Sequence, residues 1–211
     1  MHKNIFIILL VVFFSLVGIQ VNGQGFKAGI VAGLSTSQIS GDQLSGFNKA
    51  GILAGGFVST QLSPKFDMQM EILYIQKGSR KNANPDKEDY TSYLLRLNYF
   101  EVPLLVQWKY SKRFILEAGP SIGVLLSTYE EDEYGEFNSS FPFEKLEFGV
   151  MGGLNVMLAK GFSFNTRFER SFIPVRDHVS GQTYRFNKGQ YNSALLFSFR
   201  YKFEGRQKQI E

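Results

Sequence analysis

The alternation of apolar and polar residues along almost the whole chain after residue 24 most constrains what this sequence can fold into. In "FDMQMEILY" (66–74) every second residue is apolar, and Asp67, Gln69 and Glu71 lie between them. Successive side chains of a β-strand point to opposite faces, so the pattern predicts strands with one apolar and one polar face. No apolar run after residue 24 is long enough for a transmembrane helix. The pattern therefore predicts an all-β protein.

Strand-like segments and their connections repeat regularly along the chain. Seven segments alternate clearly, and an eighth, 49–62, is rich in glycine and ambiguous in its facing; the others are 25–35, 66–74, 99–109, 114–127, 146–158, 162–170 and 191–203. Short links alternate with the long polar links 40–48, 78–92, 129–145 and 172–190. An even number of strands, with short turns at one rim and long loops at the other, is typical of outer-membrane barrels. We therefore predict an eight-stranded antiparallel up-and-down transmembrane β-barrel.

A targeting segment precedes these strands. Lys3 is followed by an apolar run from Ile5 to Val17, which is shorter than the roughly 20 residues that a membrane-spanning helix needs. The segment predicts a secretory signal peptide cleaved near Gly23 rather than an N-terminal anchor. The absence of cysteine is consistent with export. The expected organisation is a signal peptide at 1–23, one barrel domain at 24–203 and a short periplasmic tail at 204–211.

Soluble barrels also alternate, so the polarity of the two faces decides where this barrel lies. A soluble barrel hides its apolar face and presents a surface rich in Lys and Glu to water. Here the polar face consists of glycines, serines and single charges, which suits a narrow lumen better than a solvated surface. The apolar face is then expected to contact lipid. A soluble lipocalin-like ligand carrier is kept as an alternative.

The charged residues on the polar face are the candidate site residues. An eight-stranded barrel is just wide enough for side chains to fill its interior, and charges there are desolvated and must pair. We expect a structural network that plugs the lumen, in preference to a path for protons or ions. The inward-facing charges are Lys27, Glu71, Glu101, Glu117, Glu147, Arg167, Glu169 and Arg200.

Prolines and aromatic residues add two expectations about the strands. Pro103 and Pro120 lie within predicted strands and lack a backbone N–H, so a β-bulge is predicted at each. Aromatic residues near predicted strand ends indicate girdles at the two membrane interfaces. They are Tyr74, Tyr93, Tyr99, Trp108, Tyr110, Tyr129, Tyr191 and Tyr201.

The long loops contain no motif for catalysis, a metal or a cofactor. His178 and Asp177 are adjacent in the fourth loop, and adjacency alone does not define a catalytic pair, so we expect a solvated histidine and no enzyme activity. The acidic third loop lacks the spacing of an EF-hand and is expected to be a solvated charge run. Basic residues of the fourth loop, among them Arg176, are expected to attract it. With 23 basic and 19 acidic residues, nothing favours nucleic acid binding.

Three strand segments carry a family resemblance. "MQMEILYIQKG" (68–78), "YFEVPLLVQWKY" (99–110) and "FILEAGPSIGVLL" (114–126) resemble the PorT-like, or porin-like, family of outer-membrane β-barrel proteins. The resemblance extends over essentially the mature chain. It implies the bacterial outer membrane, contact with outer-membrane lipid and insertion by the barrel assembly machinery, and it identifies no catalytic residue.

The expected function follows from the predicted plugged lumen and from this resemblance. Some members of the family are linked to protein secretion machinery, which implies an extracellular or secretion-machinery partner. The expected role is therefore structural or interactive, through the long extracellular loops. A narrow porin-like channel for small solutes is the alternative.

Overall fold

The computed structural model describes residues 25–42, 44, 46–137, 139, 141–178 and 189–203. Its regular structure is β-strand apart from the short 3-10 helix Pro85–Lys87. The predicted signal peptide and periplasmic tail lie outside the described residues. The strands are β1 (Lys27–Ser40), β2 (Lys49–Gln61), β3 (Phe66–Lys81), β4 (Tyr93–Lys109), β5 (Phe114–Asp132), β6 (Gly135–Glu136), β7 (Leu146–Ala159), β8 (Phe162–Ser171) and β9 (Tyr191–Lys202).

Eight long strands of the described chain form a closed ring. Each pairs antiparallel with its neighbours in chain order, and the pairing of β1 with β9 closes the sheet. The two-residue strand β6 pairs with the end of β5. A closed sheet has no free edge, so its backbone polar groups are satisfied within the ring, as a lipid environment requires. The predicted eight-stranded antiparallel barrel is confirmed.

The outer face of the barrel carries the apolar half of each alternation. On β4, the inward-facing Glu101 and Gln107 are at most 2% exposed. Their outward neighbours are between 40% and 50% exposed: Phe100, Val102, Leu104, Val106 and Trp108. Such a continuous apolar surface is unfavourable in water and matches the lipid-facing band of an outer-membrane barrel. Among the described residues, no helix is long and apolar enough to span a membrane.

Four strands extend further toward the long loops than the predicted segments. β1 continues to Ser40 and β4 begins at Tyr93. β3 continues to Lys81 and β5 to Asp132, so parts of the predicted loops 78–92 and 129–145 are strand. Beyond the apolar band the pattern reverses, because Arg80 and Arg96 face outward while Leu95 is fully buried inside. An inner apolar face therefore supports these extensions, although their outer face is polar.

Neither proline produces the predicted bulge. Pro103 pairs with Ser121 of β5. The pairing of β4 with β5 is interrupted at Leu104 and Leu105, and the register is the same on both sides of this interruption. Pro120 pairs with Val150 of β7 in an unshifted ladder. A missing N–H removes a ladder bond but inserts no residue, so the flanking pairs keep the register.

The register shift between β4 and β5 occurs elsewhere. Tyr99 pairs with Leu125 and Asn98 with Ser127, which leaves Leu126 as the extra residue of a bulge. The bulge changes which residues of β5 face inward. Glu130, beyond it, is therefore buried at 6% exposure.

The lumen also contains an apolar cluster, which the prediction of a lumen plugged by polar groups did not include. The cluster lies mainly on the inner faces of β1 to β4, opposite the strands that supply most of the buried charges. Its buried members are Val31, Ile39, Leu53, Phe57, Leu73, Ile75, Leu95, Leu97, Tyr99, Ala194 and Leu196. Apolar packing and charge pairing together fill the interior.

Candidate functional site: a closed lumen with two charged clusters

The lower cluster, formed by Glu71, Glu117, Arg167 and Arg200, lies in the half of the lumen nearer the short turns. Arg167 Nη1 and Nη2 donate to the two carboxylate oxygens of Glu71 at 2.7 and 2.6 Å, and its Nε donates to Glu117. Arg200 donates to Glu71 at 2.8 Å and to Glu117 at 3.2 Å. These side chains are at most 2% exposed. Two arginines balance two carboxylates.

Side-chain amides add hydrogen bonds to both carboxylates of the lower cluster. Gln107 and Asn165 each donate to Glu117 at 2.8 Å. Gln69 donates to Glu71 at 2.5 Å. A buried ion pair is favourable only when its remaining lone pairs are also satisfied, so these amides are part of what makes the cluster tolerable inside the barrel.

A glycine on the adjacent strand provides the space for Arg167. Gly153 of β7 pairs with Arg167 of β8. A Cβ at Gly153 would lie 2.6 Å from Arg167 Cγ and 2.4 Å from the backbone oxygen of Thr166. The absence of a side chain at this position therefore lets the guanidinium extend across the lumen to the opposite wall.

The upper cluster, formed by Lys77, Glu101, Glu147 and Glu169, lies nearer the long loops. Lys77 Nζ is 3.2 Å from oxygens of both Glu101 and Glu147 and forms an ion pair with Glu169. Asn192 donates to Glu147 at 2.9 Å. The four charged side chains are at most 2% exposed. One ammonium faces three carboxylates, so acidic groups outnumber basic ones in this cluster.

Both clusters connect strands that are not neighbours in the sheet. Arg167 on β8 contacts Glu71 on β3, and Lys77 on β3 contacts Glu169 on β8. These contacts cross the lumen, because several strands separate β3 from β8 in either direction around the ring. Side chains therefore cross the interior at two levels.

The structure brings seven of the eight predicted inward charges into these clusters. The exception, Lys27, faces inward at the mouth of the short-turn side and is exposed. Sequence reasoning missed Lys77, the one cation of the upper cluster. The inward positions before it, Leu73 and Ile75, are apolar, so the alternation no longer distinguished two faces at that point.

A buried ion pair joins the third and fourth long loops. Arg176 Nη1 lies 3.1 Å from both carboxylate oxygens of Glu130, and its Nε donates to Gln190 at 2.9 Å. Tyr93 donates to Glu130 at 2.5 Å, and the guanidinium lies 4.2 Å from the ring centre of Phe143. This pair is an instance of the predicted attraction between these loops. Of the other cations assigned to the fourth loop, Arg170 lies exposed on β8, and Arg185 and Lys188 lie outside the described residues.

His178 is not the solvated residue that the sequence predicted. It is 9% exposed and packs against the first long loop, where a Cβ at Gly41 would lie 3.1 Å from His178 Cε1. Gly41 has a φ of 97°, a conformation that glycine adopts without strain. The first loop can therefore turn close to the imidazole. Both residues line a cavity of about 510 Å³ at the extracellular mouth.

The predicted aromatic girdles include two residues that point inward instead. Tyr99 is fully buried in the lumen, and Tyr93 donates to the buried Glu130. Trp108, Tyr110 and Tyr201 are at least 40% exposed on the outer side near the short turns. Trp108 and Tyr110 contact each other edge to face, with ring centres 5.6 Å apart. These three residues have the positions expected of a membrane-interface belt.

Fold and surface together define a small eight-stranded outer-membrane β-barrel. A family model described as outer membrane protein beta-barrel domain matches residues 20–177, and the chain belongs to this family. The protein is therefore located in the bacterial outer membrane.

Two solved structures have the same fold. Neisserial surface protein A is 12% identical, with 85% of this chain and 97% of that chain covered and a TM-score of 0.51. Ail, the attachment invasion locus protein of Yersinia pestis, is 10% identical, with 84% and 98% covered and a TM-score of 0.50. Among curated proteins, no relative matches the sequence. At these identities the structures support the fold alone.

Proposed function

We propose that this protein is a non-conducting outer-membrane barrel without enzymatic activity, whose extracellular loops make its functional contacts. The observation that carries the proposal is the pair of charged clusters that cross the lumen from β3 to β8. Their side chains are at most 2% exposed, and the apolar cluster fills the opposite wall. The lumen then has a structural role, and the long loops are the surfaces available for recognition.

Exposed aromatic side chains on the long loops support a role in recognition. Tyr90 is 69% exposed, Tyr134 is 91% exposed and Phe172 is 57% exposed. Aromatic residues supply a large share of the binding energy in protein interfaces. The partner we propose is an extracellular or secretion-machinery protein, in keeping with the resemblance to the PorT-like group, and the barrel assembly machinery would insert the chain.

A narrow channel for small solutes is the second candidate. Cavities of about 490 and 510 Å³ at the two mouths of the barrel favour it. The two candidates differ in whether the charged clusters between these cavities admit solutes. The soluble lipocalin-like alternative has no support, because the outer face is apolar around the ring.

Swelling of proteoliposomes tests the closed lumen directly. The full chain, folded into vesicles, is diluted into isotonic solutions of glycine, arabinose or glucose, and light scattering reports solute entry. We expect the same swelling rate as for empty vesicles. Solute entry that falls with increasing solute size would instead establish the channel.

A variant with an emptied lumen provides the positive control. All eight charged residues of the two clusters are replaced by serine, which removes acids and bases together and leaves none of these charges unpaired. A shift in gel mobility between unheated and boiled samples identifies folded barrels of both proteins. Swelling by this variant, with none by the unaltered chain, would assign the closure to the clusters.

A further inference from the structure

The periplasmic mouth of the barrel contains a cavity that the proposed function does not use. This cavity, here called the periplasmic vestibule, has a volume of about 490 Å³. Lys27, Asp67 and Lys109 line it, together with polar residues from the end of β2 and the β2–β3 turn. It lies on the side of the short turns, which face the periplasm in outer-membrane barrels.

Basic groups outnumber acidic groups around the vestibule. Asp67 Oδ1 is 2.6 Å from Lys109 Nζ, so this pair is neutral as a unit. Lys202, at the end of β9, lies close enough to interact electrostatically with Asp67, Lys27 and Lys109. Lys27, Lys109 and Asp67 line the vestibule and Lys202 lies near them, so among these described residues three ammonium groups and one carboxylate leave two positive charges in excess.

The excess charge does not lie on the most shielded groups. Lys27 is exposed and Lys202 is half-buried, whereas the side chains of the neutral pair, Asp67 and Lys109, are 11% and 30% exposed. The lower cluster, deeper in the lumen, is already balanced, because Arg167 and Arg200 bind both of its carboxylates. The excess positive charge is therefore available to a ligand from the periplasmic side.

We propose that the periplasmic vestibule binds a phosphate-class dianion, either inorganic phosphate or the phosphate monoester of a phosphatidic acid headgroup. Two excess positive charges match the charge of a phosphate or a phosphate monoester near neutral pH. Lysine ammonium groups bind phosphate as point charges with donors that rotate freely, so they need no fixed planar geometry. This site is independent of the proposed loop contacts, since it lies at the opposite end of the barrel.

Calorimetric titration with inorganic phosphate tests the site. The full chain is folded in detergent free of phospholipid and titrated with sodium phosphate at constant ionic strength, with sodium chloride as the reference. We expect saturable binding to one site. The double variant Lys27→Gln/Lys202→Gln removes the two excess charges, spares the Lys109–Asp67 pair and should weaken binding at least tenfold.

A matched variant separates site binding from general attraction to a basic protein. Lys112→Gln/Arg113→Gln removes the same charge from the β4–β5 turn, where both residues are exposed and outside the vestibule. It should bind phosphate as the unaltered chain does. The single variants Lys27→Gln and Lys202→Gln, each expected to weaken binding several-fold, replace the double variant if its heat-dependent gel shift is lost.

Lipid nanodiscs distinguish the two sources of phosphate. If a headgroup is the occupant, phosphatidic acid nanodiscs should weaken the binding of inorganic phosphate relative to phosphatidylcholine nanodiscs. Equal binding in both would assign free phosphate. Absence of saturable binding to the unaltered chain, or equal weakening in the vestibule variant and its matched control, would overturn the proposal.

Discussion

Arg167 contacts both carboxylates of the lower cluster. Replacing it therefore measures how much stability is lost when buried carboxylates lose one of their partners. In Arg167→Met, Glu71 and Glu117 share the single remaining cation Arg200. Breaking a buried ion pair from one side typically lowers the free energy of unfolding by about 3–5 kcal/mol. We expect a loss of this size, measured by urea unfolding in lipid vesicles with the fluorescence of the single tryptophan, Trp108.

Arg170 on the same strand provides the control for this measurement. It faces outward and is exposed, so Arg170→Met should change the free energy of unfolding by less than about 0.5 kcal/mol. Equal effects of the two substitutions would contradict a specific role for the cross-lumen ion pairs.

Asp89 gives a pH-dependent prediction in the second long loop. Lys81 lies 2.8 Å from its carboxylate, and Thr91 donates to it through both its hydroxyl and its backbone N–H. These bonds favour the ionised form and lower the pKa of Asp89 from 3.8 to about 2. The stabilisation of the loop is therefore present above pH 3.8 and is lost as the pH falls through about 2.

An NMR titration of the Asp89 carboxyl carbon measures this pKa directly. We expect a midpoint near 2 in the unaltered chain. The midpoint should be higher in Lys81→Met, because this variant lacks the ammonium group that donates to the Asp89 carboxylate. A midpoint near 3.8 in the unaltered chain would mean that these hydrogen bonds do not form in solution.

At the scale of single residues, the alternation identified most of the charges in the lumen but not the ion pair between Glu130 and Arg176. Parity alone placed Glu117 and Arg167 inside the barrel, because a strand leaves only two directions for a side chain. Glu130 and Arg176 followed no such rule: a bulge sets the direction of the first, and a loop without periodicity holds the second. The burial of His178 likewise depends on the path of a distant loop.

At the scale of strands, the close approach of β4 and β5 depends on a glycine beside Pro120. A Cβ at Gly119 would lie 1.9 Å from the backbone oxygen of Leu104. Gly119→Ala must therefore push the strands apart, and overpacking of this kind costs about 1–3 kcal/mol. We expect a loss in the free energy of unfolding at the upper end of this range, measured as above.

Gly152 is the matched position on the neighbouring strand. It faces outward, and a Cβ there would lie 3.8 Å from the backbone oxygen of Glu117, an ordinary contact distance. Gly152→Ala should leave the free energy of unfolding within about 0.5 kcal/mol of the unaltered chain. Similar losses in both alanine variants would refute the specific contact between β4 and β5.

The ion pair between the third and fourth loops predicts how accessible the fourth loop is. Glu130→Gln removes the charge that holds Arg176, so the peptide bond after Arg176 should become accessible to proteases more often. We expect trypsin to cut after Arg176 several-fold faster on intact cells. Glu131→Gln is the control, because Glu131 faces outward and is not part of the pair. Equal rates in the two variants would contradict a role of the ion pair in protecting this bond.

Strand existence was predictable from the sequence, whereas strand length and bulge position were not. The lipid-facing alternation of 66–74 or 114–126 repeats a local rule in each strand. The extension of β3 to Lys81 reverses that rule, and the bulge at Leu126 arises from pairing between two strands. Pro103 is the opposite case. The residue alone predicts a bulge, but the neighbouring residue pairs of β4 and β5 keep the register unshifted.

At the scale of the whole molecule, the barrel combines an apolar exterior with an interior that charged side chains cross at two levels. The closed ring satisfies the backbone in lipid, and the cross-lumen pairs join walls that the sheet does not connect directly. The sequence predicted the ring, because the number of strands and the alternation of loop lengths are properties of the entire chain. The apolar cluster beside the charged clusters emerged only from the three-dimensional structure.

Single-channel recording tests the closed lumen, the central claim, most directly. The unaltered full chain is inserted into a planar lipid bilayer in 1 M KCl, with insertion verified by the heat-dependent gel shift of the same sample. The structure predicts no steady current steps for the unaltered chain and discrete steps for the eight-serine variant. Discrete, reproducible steps from the unaltered chain would contradict a lumen closed by its charged clusters.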